Sequence, residues 1–164
     1  DDMHASAVAI GTGRLLKPAT FQQMITNDLI GKTTAVKGCL TCLPQQPAYT
    51  YGLGIVSSGN WLVQDPLFSG ESGAIAYLPS QQVAIALTVT YEASAFTSPA
   101  SPKNSADYLW RMIAAKLAPE DPEPLYLLGR IYRLQGKTDE AAQIFAQYKV
   151  LRRKKRGEPP AEVP

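Results

Sequence analysis

Residues 48–90 constrain the fold more than any other part of the chain. Ala48–Val56, Trp61–Gln64, Gly73–Leu78 and Gln82–Thr90 are rich in Tyr, Val, Ile and Thr and bounded by turn residues, a pattern that predicts four strands. Ser57-Ser-Gly-Asn60 has the make-up of a hairpin connection between the first two. Pro79-Ser-Gln81 is a tight turn, so the last two strands are expected as antiparallel neighbours. Val83-Ala-Ile-Ala-Leu-Thr-Val89 is apolar on both faces, which predicts a strand inside the sheet with a layer on each side.

Helical signals flank this block. A helix is expected over Asp2–Ile10, stopped by Gly11-Thr-Gly13, and a short one after Pro18, with Phe21, Met24 and Ile25 at helical spacing. Residues 27–48 lack a period and read as loop, as does the Ser/Pro-rich stretch 92–103. Asn104 is placed to cap a helix running to about Leu117. Its apolar stripe of Ala106, Leu109, Trp110, Ile113 and Leu117 is expected to cover the sheet. Helices, a strand meander and a covering helix make the predicted class α+β.

Composition sets the outer bounds. A chain of 164 residues, 45% hydrophobic and 18% charged, is one ordinary domain or a small domain with an appendage. A net charge of +2 gives no reason to expect nucleic acid as a partner. No apolar run approaches the roughly 18 residues a membrane helix needs, so no transmembrane segment is expected. The chain opens at Asp1-Asp2-Met3 without a signal peptide, as a fragment or processed product would. One histidine, His4, and two cysteines, Cys39 and Cys42, leave no material for a histidine-rich metal centre or a disulfide scaffold, and no cofactor is implied. Charge is unevenly placed: residues 1–100 hold four bases and six acids, net −2, and the remainder twelve bases and eight acids, net +4. The expected joint is the Pro-rich segment 119–124, which divides residues 1–118 from a C-terminal piece.

Trp61–Pro79 reads WLVQDPLFSGESGAIAYLP. It resembles the third-motif strand and following hairpin of the serine β-lactamase and D-alanyl-D-alanine carboxypeptidase superfamily, in its class C-like and esterase-like branch. The spacing from Trp61 to Ala76-Tyr77-Leu78-Pro79 fits that pattern without a gap. Gly13–Met24, Tyr51-Gly-Leu-Gly54 and Val83–Thr90 resemble further family segments in the same order. The resemblance implies a partial β-lactamase-like fold over residues 1–118, the last third of an enzyme that transfers acyl groups of D-alanyl peptides, β-lactams or esters through a serine ester. It also implies a bacterial, extracytoplasmic location.

The parts that this chemistry needs can be searched for. No Ser stands three residues before a Lys, the spacing that lets an amine take the hydroxyl proton, and no Tyr stands two residues before an Asn. The third-motif positions fall on Gln64, Asp65 and Pro66, the candidate substrate-binding residues. Gln64 can donate a hydrogen bond but cannot carry the charge of Lys or His, and Pro66 lacks a backbone donor. The chain is therefore expected to be inactive by itself, without catalytic residues of its own.

Leu125–Lys149 resembles one tetratricopeptide repeat: Leu128-Gly129, Tyr132, Gly136, Ala141 and Phe145 stand at the spacing of its helical hairpin. Gly129 and Ala141 allow close approach, Gly136 ends the first helix, and Thr138 is placed to cap the second. The hairpin is expected to run over 125–156, with a disordered tail at 157–164. One repeat cannot bury its own faces, so the alternative function is a non-catalytic module that binds a protein partner or a second copy.

Four other features have a bland and a functional reading. Cys39-Leu-Thr-Cys42 has redox-motif spacing but lies in a loop, where a small local disulfide or two free thiols fit better. His4 reads as structural or exposed, and Glu71 as a solvated strand-end carboxylate. Arg152–Arg156 could grip an anionic surface, but suits a solvated helix end.

Overall fold

The computed structural model describes residues 2–39, 42–68, 70–91 and 104–158. Among them are five helices and one antiparallel sheet, an α+β arrangement. The chain forms two compact units, residues 1–110 and 111–164.

The first unit opens with α1 (Asp2–Gly11) and α2 (Pro18–Ile25), close to the expected bounds. Gly11 ends α1 against the sheet, where a Cβ would collide with the Tyr77 ring. Phe21, Met24 and Ile25 are the half-buried residues of α2, as their spacing predicts.

The sheet contains β1 (Thr50–Tyr51), β2 (Val56–Ser58), β3 (Trp61–Gln64), β4 (Leu67–Phe68), β5 (Glu71–Leu78) and β6 (Val83–Thr90). The single strand expected over Ala48–Val56 is two short strands. Gly52 and Gly54 turn the chain between them, with Gly54 at φ 74° and the Gly52 N–H donating to the Ile55 carbonyl. Gly52 also permits close contact with α2, since a Cβ there would run into the Met24 carbonyl oxygen. The β2–β3 turn is tight, Gly59-Asn60, because Ser58 pairs with Trp61.

β3 and β4 share one register on β5, with Gln64 opposite Ile75 and Leu67 opposite Ser72. They are one line interrupted at Asp65-Pro66, where Pro66 has no N–H to donate, although its carbonyl accepts from Gly73 at 3.1 Å. β5 and β6 pair antiparallel over all eight residues, as the tight turn predicts.

The placement of β6 and the buried face of α3 also depart from expectation. β6 is not interior: among the described residues it pairs with β5 alone. Its two apolar faces reflect cover above and below, α1 lying across β5 and β6 and Ile85 being buried on the opposite face, and say nothing about neighbours in the plane. The buried face of α3 (Ser105–Leu117) is also rotated from the expected stripe. Ala106, Trp110, Ala114 and Ala118 are buried, an i, i+4 series, whereas Leu109, Ile113 and Leu117 are exposed. Trp110 does meet the sheet, its ring centroid 6.2 Å from that of Trp61.

The second unit is a helical hairpin of α4 (Pro122–Leu134) and α5 (Thr138–Lys155). Half of the segment expected as a linker is helical. Asp121 caps α4, its side chain accepting the Glu123 N–H, and Pro122 occupies the first helical position, where its missing donor costs nothing. Gly136, at φ 76°, turns the chain after α4 as expected. Thr138 does not cap α5: it is the first helical residue, and Lys137 at the cap makes no side-chain bond. Gly129 brings the helices close, a Cβ there standing 2.9 Å from the Phe145 ring. Tyr126 packs on Phe145 and Tyr148, and the Arg133 guanidinium lies 4.9 Å above the Phe145 ring.

The basic run at the end of α5 faces acids of α4. Arg152 Nη1 donates to Glu123 Oε1 at 2.5 Å, and Lys155 Nζ lies 3.8 Å from Asp121 Oδ1. Most of the tail expected as disordered, 159–164, and the expected loop 92–103 lie outside the described residues.

Candidate functional site at the end of the third strand

Strand alternation decides where the three candidate residues point. Gln64 and Pro66 lie on the α1 face and line a cavity of about 290 Å³ with Met3 and Ser6 of α1 and Gly73 and Ile75 of β5. Asp65, between them, points to the opposite face. The three are adjacent in the chain, yet they do not converge on one pocket.

Gln64 is held in place: its Nε2 donates to the Gly54 carbonyl at 2.7 Å. A neutral amide held this way orients a neighbour through its second N–H but cannot shuttle a proton. His4 is exposed on α1 and Glu71 is exposed at the start of β5; neither is among the described residues that line the cavity. No group of three or more His, Cys, Asp or Glu among the described residues could hold a metal ion.

Asp65 belongs to a polar cluster on the other face. Tyr49 Oη donates to Asp65 Oδ1 at 3.4 Å and lies 3.2 Å from Tyr51 Oη. Burial, the Asp65 carboxylate and the bond to Tyr51 together hold the Tyr49 hydroxyl protonated far above the usual phenol range, so it is no base. The Asp65 carbonyl accepts from Asn104 Nδ2 at 3.0 Å, which ties the end of β3 to the start of α3.

The remaining polar contacts include a pair that spacing alone does not reveal. Ser72 Oγ and Tyr91 Oη are 2.7 Å apart, a distance suited to proton transfer. Burial opposes ionisation of Tyr91, but hydrogen bonds from Ser72 and from the backbone and side chain of Ser105 outweigh it and lower its pKa. A hydroxyl beside a phenol more acidic than usual has the form of a nucleophile and its base.

Its neighbours assign it another role. Tyr91 Oη accepts the Ser105 N–H at 2.7 Å, Ser72 Oγ accepts the Ala106 N–H at 3.2 Å, and Asn104 Oδ1 accepts the Asp107 N–H at 2.9 Å. Those are the first three N–H groups of α3, which the helix itself cannot satisfy. Ser72 is 1% exposed, so no substrate reaches it. The pair caps α3. Antiparallel pairing of β5 and β6 brings residues 72 and 91 together, and α3 returns to them; only Asn104 carries a local signal.

Cys39 and Cys42 are joined in a disulfide, which resolves the alternatives left open by their spacing. No helix among the described residues is long and apolar enough to cross a membrane. Comparison with known proteins found no match to the chain among family models, curated proteins or solved structures.

Proposed function

We propose that residues 1–118 are the C-terminal part of a β-lactamase-like serine hydrolase that acts on D-alanyl peptides, β-lactams or esters. In that reading the chain supplies the third-motif strand and the sheet behind it, and does not hydrolyse anything alone. The observation that carries it is the ungapped hairpin Trp61–Leu78. It keeps one register through Asp65-Pro66 and exposes Gln64 and Pro66 to a cavity beside α1. A strand interrupted by an Asp-Pro pair and still in register fits the segment that carries the WLVQDPLFSGESGAIAYLP resemblance.

Two measurements test the reading. The chain is incubated with a chromogenic β-lactam, a fluorophosphonate probe and a short-chain ester; no turnover and no labelling are expected, and covalent labelling at a specific Ser would overturn it. Sequencing of the DNA upstream of residue 1 is expected to show an open frame encoding Ser-x-x-Lys and then Tyr-x-Asn. A stop codon there favours the second reading, a protein-interaction module built on the hairpin. That alternative draws support from Leu134 and Val150, which are 65% and 67% exposed on α4 and α5. Light scattering that shows only monomer, with a pull-down that retains nothing, would count against it.

A further inference from the structure

The Cys39–Cys42 bridge lies in a small, locally closed loop. The Cys39 N–H donates to the Val36 carbonyl at 3.1 Å across a turn whose third residue, Gly38, has φ 82°. The Val36 N–H donates to the Cys42 carbonyl at 3.1 Å, which closes the loop on itself. The two cysteines are three residues apart, so the bond removes little freedom from the unfolded chain and its loss costs the fold little. Such a bond has no strong structural reason to stay closed.

Its two sulfurs are inequivalent. Cys42 is exposed, and Cys39 is half-buried. The Cys42 N–H points at Cys39 Sγ, 3.2 Å away, and a backbone donor aimed at sulfur stabilises the thiolate. Lys37, exposed two residues before Cys39, adds positive charge to the loop. A disulfide is opened fastest where the attacked sulfur is accessible and the departing one leaves as a stabilised thiolate. Both conditions select the same direction.

We infer that Cys39–Cys42 is a thiol–disulfide exchange site for small anionic thiols, attacked at Cys42 and releasing Cys39. In the first step an external thiolate attacks Cys42 Sγ. A new S–S bond forms to Cys42, the Cys39–Cys42 bond breaks, and its electron pair leaves on Cys39 as a thiolate held by the Cys42 N–H. In the second step another thiolate attacks the small-molecule sulfur of that mixed disulfide and releases Cys42 as a thiolate. The small thiol leaves as its own disulfide, having lost two electrons that the cysteine pair has gained, and solvent balances the protons. The exchange is independent of the hydrolase reading, since it uses no residue of the β3 cavity.

The test uses the intact chain with reduced glutathione, quenched in acid at intervals, then alkylated and mapped by peptide mass spectrometry. The trapped adduct is expected on Cys42 in severalfold excess over Cys39, with tryptophan emission unchanged because opening so short a loop leaves the fold in place. Adduct shared equally, or mostly on Cys39, would overturn the inference. So would a bond that opens only when the emission shifts to that of unfolded protein. A Cys39→Ser chain, given oxidised rather than reduced glutathione, is expected to attack it through Cys42, release one glutathione thiolate and keep the adduct on Cys42, because no Cys39 thiolate is there to expel it; if that chain fails to fold, the trapped adduct on the unaltered chain still decides.

Discussion

Each of the two units of this chain is stabilised by different means. In the sheet unit, Trp61, Val63, Ala74, Ala76, Leu78 and Trp110 are buried, and Ser72, Tyr91 and Asn104 cap α3. The hairpin unit buries Leu125, Leu128 and Ala141, and closes its open end with charge. Antiparallel helices place the start of α4 beside the end of α5. Asp121 and Glu123 therefore sit at a helix N-terminus and Arg152 and Lys155 at a C-terminus, each favourable to its own dipole as well as to its partner. A sheet with helices on it can bury enough apolar surface to hold. Two helices have less to bury, so their ends matter more.

The strongest attempt to break this contrast is Trp61→Ala. Removing a fully buried indole should cost about 3–5 kcal/mol. The urea midpoint read by Trp110 fluorescence should fall, together with the share of the helical circular dichroism that α1 and α2 contribute, ahead of the share that α4 and α5 contribute. A loss below about 1 kcal/mol, the level of an ordinary surface substitution, would mean that the Trp61–Trp110 contact is not what anchors the sheet unit.

The hairpin should fail by a different route. Glu123→Ala leaves the Arg152 guanidinium without its partner in a mostly buried setting and should cost about 3 kcal/mol. The double change Glu123→Met with Arg152→Met should recover most of that, because removing both charges also removes the need to desolvate them. The readout is the helical circular dichroism, with the tryptophan transition as internal control. A double variant no better than Glu123→Ala would assign the loss to packing and remove charge from the comparison.

A smaller effect tests the polar latch of the sheet unit. Asn104→Ala removes the Asp107 cap and the bond to the Asp65 carbonyl and should cost about 1 kcal/mol. The thermal midpoint should fall accordingly in the tryptophan signal. An unchanged midpoint would mean that Tyr91 and Ser72 suffice to satisfy the start of α3.

Much of the fold is legible in the amino-acid sequence. Helical spacing locates α1 and α2, turn chemistry pairs β5 with β6, and Gly136 marks the end of α4. Where sequence and structure part, the physical causes are identifiable. Bulk draws the expected α3 stripe towards Leu109, Ile113 and Leu117, whereas the residues buried along with Trp110 are the small Ala106, Ala114 and Ala118. Apolarity on both faces of β6 suggests an interior position, although faces and edges are independent in a sheet. At the candidate site, alternation along β3 separates Asp65 from Gln64 and Pro66, a consequence of strand geometry that the family resemblance alone does not convey. Ser72, Tyr91 and Ser105 carry no mutual spacing signal, because only the fold brings them together.

The finest test of the contrast is pH. Burial raises the Glu123 pKa above its usual 4.5, and the neighbouring Asp121 adds to this, while Arg152, Lys155 and Arg156 oppose it. The folded hairpin therefore binds a proton at Glu123 more readily than the unfolded chain does. Between the usual value and the raised one, the folded state holds more protons, so stability falls as pH rises. The contribution is complete below pH 4.5, declines through that window and is absent above the raised value. Glu123→Gln, which cannot titrate, should flatten this slope in the helical signal and leave the tryptophan signal alone. The effect is the smallest of the four because the three cations oppose what burial does. If the unaltered hairpin instead gains stability relative to Glu123→Gln as pH rises through the window, the ion pair outweighs its own desolvation, and charge closes the hairpin more firmly than burial opposes it.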